Sequence, residues 1–411
     1  EKKIMCGFIG FWNRAGLDRE SYNHLVKMTN SIKHRGPDDS GYWLEENDGV
    51  AFGHRRLSIV DLSPAGHQPM ASMCGRWMIV YNGEIYNHLE IRDELEHLGY
   101  TFQSHSDTET ILSAYREWGV RCLSRFNGMF SFVLIDQRKE KVLVARDRFG
   151  VKPLYYWKSP DGLLAFASEI KQFTTLPGWN AQLNPQRAYD FLNWGVFDHT
   201  HETLFSGVEQ LRGGEYFEFP LHQDDDATDV LYPHRWYSLT PPPFEGTQEE
   251  AATEFRSLLE DAVRLRLRAD VDVGSCLSGG LDSSSIVCLA NDLLREKEAS
   301  NRQKTFSACS KNPLFDERHF IDMVVTKTNV DAHYTYPSLD SLFEELGAII
   351  WHQDEPFSST SIFAQWEVFK LANRGKVKVM LDGQGADEQL AGYHGFFGNY
   401  FYDLFRTLQW T

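Results

Sequence analysis

Val271-Asp272-Val273-Gly274-Ser275-Cys276-Leu277-Ser278-Gly279-Gly280-Leu281-Asp282-Ser283-Ser284 decides the fold of the second half of the chain. Val271 to Leu277 reads as a strand, and Ser284 to Glu296 has helical spacing. Thr305 to Cys309 is a strand again, and Lys376 to Leu381 is a β run leading into Asp382-Gly383-Gln384-Gly385-Ala386-Asp387-Glu388. Strand, loop, helix and strand in that order specify a parallel α/β sheet with ligands at the carboxyl ends of its strands.

The loop at Ser278 has the chemistry of a phosphate cradle. Adjacent glycines let backbone N–H groups approach an anion, Ser278, Ser283 and Ser284 add hydroxyl donors, and the following helix adds partial positive charge. The lysine of a GxxxxGK[ST] loop is absent. Asp282 would repel a bare phosphate, so its sensible role is to hold Mg²⁺ bridging phosphate oxygens. A Gly-Ser turn with a helix cap would account for Ser-Gly-Gly alone, but not for the whole string in this setting.

Outward from that loop, Thr247 and Glu250 form a T-x-x-E capping box, and Phe255, Leu258, Leu259, Ala262 and Val263 mark one helical face. Ahead of it, acidic Gln223 to Asp229, then Thr240 to Pro243 and Gly246, read as a linker. Residues 6–219 carry short β-type runs: Gly7 to Trp12, Trp77 to Tyr81, Phe130 to Asp136, Val142 to Arg146 and Leu163 to Ser168. Leu89 to Leu98 and Thr108 to Trp118 are helical cover, which makes this half a layered α+β domain. The domains expected are therefore 1–219, a linker 220–246, and 247–411.

The 411 residues hold 41 Lys and Arg against 58 Asp and Glu, a formal charge of −17. That excess argues against non-specific nucleic-acid or anionic-membrane binding. No run reaches the ~18 apolar residues of a membrane helix, and the opening Glu-Lys-Lys-Ile-Met is no signal peptide. The reading is a cytoplasmic protein. Cys6, Cys74, Cys122, Cys276, Cys288 and Cys309 include no CxxC pair, so neither a zinc site nor a disulfide framework is expected. All but Cys6 read as small buried hydrophobes.

The first domain carries Met5-Cys6-Gly7-Phe8-Ile9-Gly10, Arg35-Gly36-Pro37-Asp38-Asp39-Ser40-Gly41 and Gly53-His54-Arg55-Arg56-Leu57-Ser58-Ile59-Val60-Asp61. Tyr81-Asn82-Gly83-Glu84-Ile85-Tyr86-Asn87, Ser106-Asp107-Thr108-Glu109-Thr110 and Arg146-Asp147-Arg148-Phe149-Gly150-Val151-Lys152-Pro153-Leu154-Tyr155-Tyr156 follow. Taken singly, Asn82-Gly83 could be a hairpin turn, Asp107 a helix cap and Arg56 a surface residue. Together, and in order, these motifs resemble the class II glutamine amidotransferases, an N-terminal-nucleophile family. With the loops at Ser278 and Asp382 they resemble the PP-loop ATP pyrophosphatases and, over almost the whole chain, the asparagine synthetase family. The fold implied is an α+β N-terminal-nucleophile hydrolase sandwich followed by an α/β parallel-sheet PP-loop synthetase domain.

That resemblance implies roles residue by residue. Cys6 is the nucleophile, with its own α-amine as base. The Asn82 side chain and Gly83 N–H form the oxyanion hole. Arg56 pairs with the α-carboxylate of glutamine within the binding segment Arg56, Leu57, Ser58, Ile59 and Val60, and Glu84 and Asp107 take the α-ammonium. ATP lies on Leu277, Ser278, Gly279, Gly280, Asp282, Ser283, Ser284, Ala308, Asp382 and Gly383, its adenine between Leu277 and the strand from Thr305 to Cys309. Asp282 and Asp387 hold magnesium. Arg146 to Tyr156 is structural support, and His54, His67 and His105 are packing or hydrogen-bonding residues.

The activity implied is ATP-dependent, glutamine-hydrolysing amidation of a carboxylate, aspartate by default, with a homodimer plausible for the class. Other acceptors, such as a uronic acid or a natural-product intermediate, come into play because Gln384 stands where asparagine synthetases carry Glu. A glutaminase-dead relative that forms amide or lactam rings, or serves as a non-catalytic partner, is the reading from another class. Glu1 to Ile4 precede Met5, and a nucleophile of this type cannot work with a peptide bond on its nitrogen. Either those residues are extraneous, or processing occurs at Met5, or the glutaminase half is silent. The family continues beyond Thr411 into a helical stretch with a catalytic Lys. His352 to Ser361 is a polar stretch suited to the acceptor or the ammonia exit.

Overall fold

The computed structural model describes residues 5–221, 231–296 and 302–407. Glu1 to Ile4, and the acidic Gln223 to Asp229 of the linker, lie outside the described residues. Two compact units result. The first runs to Thr247 and also takes in Gly347–Ser359; the second is Gln248–Leu346 with the residues from Thr360 on.

The first unit is built on two six-stranded antiparallel sheets. One has the order Val208–Gln210, Tyr155–Lys158, Leu163–Ala167, Gly7–Asn13, Val50–Arg56, Asp39–Glu45. The other runs His234–Arg235, Glu215–Pro220, Lys141–Arg146, Gly128–Asp136, Trp77–Ile85, Met70–Ala71. Strand alternation explains the layering. Met78 and Val80 point into a shared core with Phe8, Phe52 and Val133. Their neighbours Ile79 and Tyr81 point the other way, onto Ile91, Leu95, Ile111 and Leu112 of helices His88–His97 and Asp107–Trp118. Ile9 and Phe11 leave the other sheet outward, onto Leu25 and Met28 of helix Ser21–Ser31. The result is a helix–sheet–sheet–helix sandwich.

Trp77–Ile85 extends four residues past the Tyr81 expected from sequence, and the extension matters. Asn82 pairs with Ser131 and Gly83 with Phe130, so Asn82-Gly83 lies within a strand and is not a hairpin turn. A Cβ at Gly83 would sit 2.3 Å from the Met129 carbonyl oxygen and 2.7 Å from Phe130 Cα. Glycine is there for the close neighbour strand. The residues after Pro220 contribute as well: Tyr216 pairs with His234, and Trp236 stacks on Phe130 with ring centroids 6.1 Å apart.

The second unit is a four-stranded parallel sheet in the order Asp331–Thr335, Lys304–Ala308, Val273–Cys276, Val379–Leu381. Helix Leu281–Glu296 begins three residues before Ser284, because the glycine pair closes the turn at Gly280 and Ser284 N–H already donates to Gly280 O at 3.1 Å. Helix Gln248–Arg266 corrects the face expected for it. Phe255 and Leu258 are exposed, and burial falls on Val263 and Leu265. The residues that cover this helix, Ala290, Leu293 and Leu381, gather with Val263 near its C-terminal end. The cysteines also differ from expectation, since Cys74 is exposed and Cys276 and Cys288 are only half-buried. Among the described residues, no helix is long and apolar enough to cross a membrane.

Candidate functional site

Cys6 stands immediately before the strand Gly7–Asn13, so its place is set by an antiparallel register that aligns Gly7 with Arg55. Leu57 closes around its sulfur from both sides: Leu57 N–H donates to Sγ at 3.3 Å, and Sγ–H donates to Leu57 O at 3.4 Å. Burial pushes the thiol up to about 11; the Leu57 hydrogen bond offsets this only in part. A thiol so placed is protonated near neutral pH and needs a base before it can attack.

A pocket opens at Cys6, lined by Arg56, Leu57, Ile59, Val60, Gly83, Glu84 and Asp107 among others. Seven residues named for glutamine or its oxyanion thus converge with Cys6 on one cavity. Ser58 and Asn82 do not line it. Ser58 N–H instead donates to Asp38 Oδ2 at 3.0 Å. Asn82 is fully buried, and neither its amide nitrogen nor its amide oxygen has a hydrogen-bond partner. A buried amide without partners costs on the order of 1–3 kcal/mol. An oxyanion forming nearby would be the acceptor its N–H₂ lacks.

The charged ends of the pocket are built with care. Arg56 NH1 donates to Ser63 O at 2.9 Å, and NH2 donates to the carbonyl of Asp61. Gly66 makes room, because a Cβ there would fall 1.9 Å from Arg56 NH2. Ser106 caps helix Asp107–Trp118 by accepting from Thr108 N–H, which leaves Asp107 for other work. Asp107 Oδ2 accepts from Tyr81 OH at 2.7 Å and from Ile85 N–H at 2.9 Å. Burial raises its carboxyl above the ordinary range. A bound ammonium would be a natural partner for that carboxylate. His54 accounts for none of this chemistry: it meets Tyr81 O at 2.9 Å through Nε2, and burial lowers it to about 3.

Two features escape a reading of local sequence. Arg35 donates through Nε to Cys6 O at 2.9 Å and through NH1 to Glu169 at 2.9 Å. Glu169 also meets His34 at 3.0 Å and Lys171, and Lys171 reaches Asp354 at 2.8 Å. Asp354 belongs to the polar stretch His352 to Ser361, and here it accepts from Ile170 N–H at 2.7 Å while Glu355 accepts from Leu204 N–H at 2.7 Å. Lys152 is the second feature. The stretch Arg146 to Tyr156 is the scaffold expected of it: Asp147 accepts the N–H groups of Phe130, Phe149, Val151 and Lys152. Its Lys152 side chain, however, ends beside Met5. A lysine between a Gly-Val turn and a proline in an apolar stretch is the signal that could have flagged it.

In the second unit the two loops touch. A Cβ at Gly383 would lie 3.0 Å from Asp282 Cβ and 3.1 Å from Ser283 N. Gly279 has φ +92°, a conformation reserved for glycine. Ser278 Oγ and Ser283 Oγ are 3.0 Å apart, and Gly280 N–H donates to Ser278 Oγ at 3.3 Å, which ties the loop to the helix start. Ser284 lies in the first turn. Leu277 is buried among Val287, Ile321 and Val330, and its carbonyl accepts from Ser307 Oγ at 2.6 Å; Ala308 ends the neighbouring strand. Asp382 accepts from Gln365 Nε2 at 3.1 Å. Asp387 is folded over Gly392, where a Cβ would meet its Oδ1 at 1.8 Å. Among the described residues no group of three metal-type side chains gathers. A magnesium ion here would rest on Asp282, Asp387 and the oxygens of its substrate.

Comparison with known proteins agrees with this geometry. Residues 5–232 match the glutamine amidotransferase domain family, and residues 254–408 match the asparagine synthase family. Asparagine synthetase (glutamine-hydrolysing) 1 of Bacillus subtilis is 34% identical over 95% of this chain and 59% of its own. A Methanocaldococcus jannaschii protein provisionally named asparagine synthetase (glutamine-hydrolysing) 2 is 33% identical over 98% of this chain and 78% of its own. An amidase of Gibberella zeae, chry2, is 30% identical over 95% of this chain and 60% of its own. The chain spans about three fifths of the length of the Bacillus relative. With a cysteine pocket in one unit, paired phosphate-type loops in the other and both families matched in order, the chain belongs to the glutamine-hydrolysing asparagine synthetase family.

Proposed function

We propose that the chain is an ATP-dependent amidotransferase that hydrolyses glutamine at Cys6 and amidates a carboxylate activated in the second unit. The observation that carries the reading is the Cys6 pocket with Gly83 in its lining and, next to Gly83 in the strand, the buried Asn82 amide without a partner. With Cys6 as the first residue, its α-amine takes the Sγ proton as sulfur attacks the side-chain carbonyl carbon of glutamine. Asn82 Nδ2 and Gly83 N–H would donate to the resulting oxyanion. The C–N bond then breaks, the proton passes from the amine to the leaving nitrogen, and ammonia departs. Water hydrolyses the thioester to glutamate. Arg56 holds the α-carboxylate through this sequence, and Glu84 and Asp107 hold the α-ammonium.

In the second unit, Ser278, Gly279, Gly280, Ser283 and Ser284 offer N–H and hydroxyl donors to the phosphates of ATP, with Asp382 and Gly383 closing from the second loop. Magnesium on Asp282 and Asp387 supplies charge neutralisation at the phosphate oxygens. The adenine is proposed to lie between the ends of the strands that carry Leu277 and Ala308. Aspartate is the default acceptor. A second acceptor class, a uronic acid or a natural-product intermediate, is favoured by Gln384, exposed in the second loop and unable to act as a carboxylate base. We place the activity in the cytoplasm, in a homodimer. Glutamate release from glutamine tests the first half-reaction. A screen of carboxylates for AMP and pyrophosphate formation by the full-length protein tests the second and identifies the acceptor; aspartate without either product would exclude the default.

A further inference from the structure

Lys152 is a buried cation beside the nucleophile that the glutaminase chemistry above leaves unused. It is only 4% exposed. Its backbone is fixed on both sides: N–H donates to Asp147 Oδ2 at 2.9 Å, and the carbonyl accepts from Arg146 Nε at 2.7 Å. From that fixed backbone the stem runs so that the ammonium ends against Met5 Sδ. A thioether is a weak acceptor and poor company for a buried ammonium. Met5 is also the residue that must leave if Cys6 is to present a free α-amine.

The charged and titratable groups around Lys152 come from four segments. They are Arg35, whose Nε holds the Cys6 carbonyl; Glu84, on the strand Trp77–Ile85; Asp147, already accepting four backbone N–H groups; and Cys6 itself. Burial, with the Arg35 charge, brings the Lys152 ammonium down to about 8. Two ammonium groups crowded into such a site do not both keep their protons.

Resting on the glutaminase reading, we infer that Lys152 is a positioning residue for the nucleophile. With Cys6 as the first residue, the ammonium faces the new α-amine across the space Met5 leaves. Its charge holds that amine unprotonated, ready to take the Sγ proton.

The test is the pH dependence of glutaminase kcat/KM in full-length protein whose Cys6 terminus is verified by intact mass. Lys152→Met should move the acid limb up by about one pH unit. Activity should then fall about tenfold near pH 6.5 and recover at about pH 8.5. Lys152→Arg, which keeps the charge, should leave the limb in place. A merely structural role would lower activity at every pH without moving the limb, and that result overturns the inference. So does an unmoved limb with full activity. Should Lys152→Met not fold, Lys152→Gln carries the same test. A wild-type protein with a free Cys6 terminus and no glutaminase at any pH would sink the glutaminase reading itself.

Discussion

Glu169 and Cys6 are joined through one guanidinium: Arg35 holds the Cys6 carbonyl oxygen with Nε and the Glu169 carboxylate with NH1, each at 2.9 Å. The Cys6 backbone is therefore braced by a carboxylate that never touches it.

Replacing Glu169 with Gln should destabilise the first unit by about 3 kcal/mol at neutral pH, since a buried ion network loses its anion. Burial works to raise the Glu169 carboxyl, but the His34 hydrogen bond and the charges of Arg35 and Lys171 outweigh it and leave the group below its ordinary range. A depressed carboxyl contributes stability that is present above its unfolded value of 4.5 and is lost as the pH falls through the folded one. Urea unfolding of both proteins should thus show a gap that narrows below about pH 4. A gap independent of pH would count against the network.

Asn82→Ala should separate activity from stability. Loss of an oxyanion donor lowers glutaminase kcat by roughly 10²–10³. The melting temperature should hold or rise, because the amide removed has no partner in the fold. A large drop in melting temperature would mean that the amide is structural.

Gly83→Ala should cost stability as well. Its Cβ would meet backbone, not a flexible side chain, so the strand pair has to move apart. A loss of about 2 kcal/mol or more is expected by chemical unfolding, whether or not glutamine is present.

Alkylation should rank the thiols. Cys74 is exposed and its thiol is lowered by the Arg76 backbone N–H and by Ser72, whereas Cys6 with Met5 attached is held at about 11 by burial. Substoichiometric iodoacetamide near pH 7.5 should label Cys74 first, read by peptide mass spectrometry. In protein that begins at Cys6 the order should reverse. If Cys6 is the faster thiol while Met5 is still attached, the free α-amine is not what activates it.

Asp282→Asn and Asp387→Asn should each abolish AMP formation in the full-length protein and spare glutamate release. Retained adenylation by Asp387→Asn would remove the second loop from the magnesium site.

Much of this was legible in residues close together in sequence. The strand–loop–helix order around Gly279 specifies a parallel sheet because a glycine pair between a β run and a helix leaves few other ways to fold. Asn82-Gly83 could have been a turn by local preference, but nine residues of pairing between Trp77–Ile85 and Gly128–Asp136 keep it extended. The start of helix Leu281–Glu296 was misjudged for a smaller reason: Gly280 O accepts the Ser284 N–H and draws the helix into the loop. Phe255 and Leu258 have the spacing of a buried face, yet periodicity does not say how far the covering residues extend. The contacts of Lys152 and Asp354 do not follow from the stretches that hold them, because each gains its meaning from partners far away in sequence.

Asp354 and Glu355 supply acceptors to the backbone of Ile170, Lys171 and Leu204 from a position well beyond Thr247. The two halves are consequently not interchangeable parts. A gene spliced at the linker, joining this first unit to the second unit of another protein, would import a foreign strip in place of Gly347–Ser359. Unless that strip brought carboxylates to the same two places, Lys171 would lose its outer anion and three backbone donors would go unmet. Descent should therefore hold these distant stretches together as one inherited unit, changing in step or not at all.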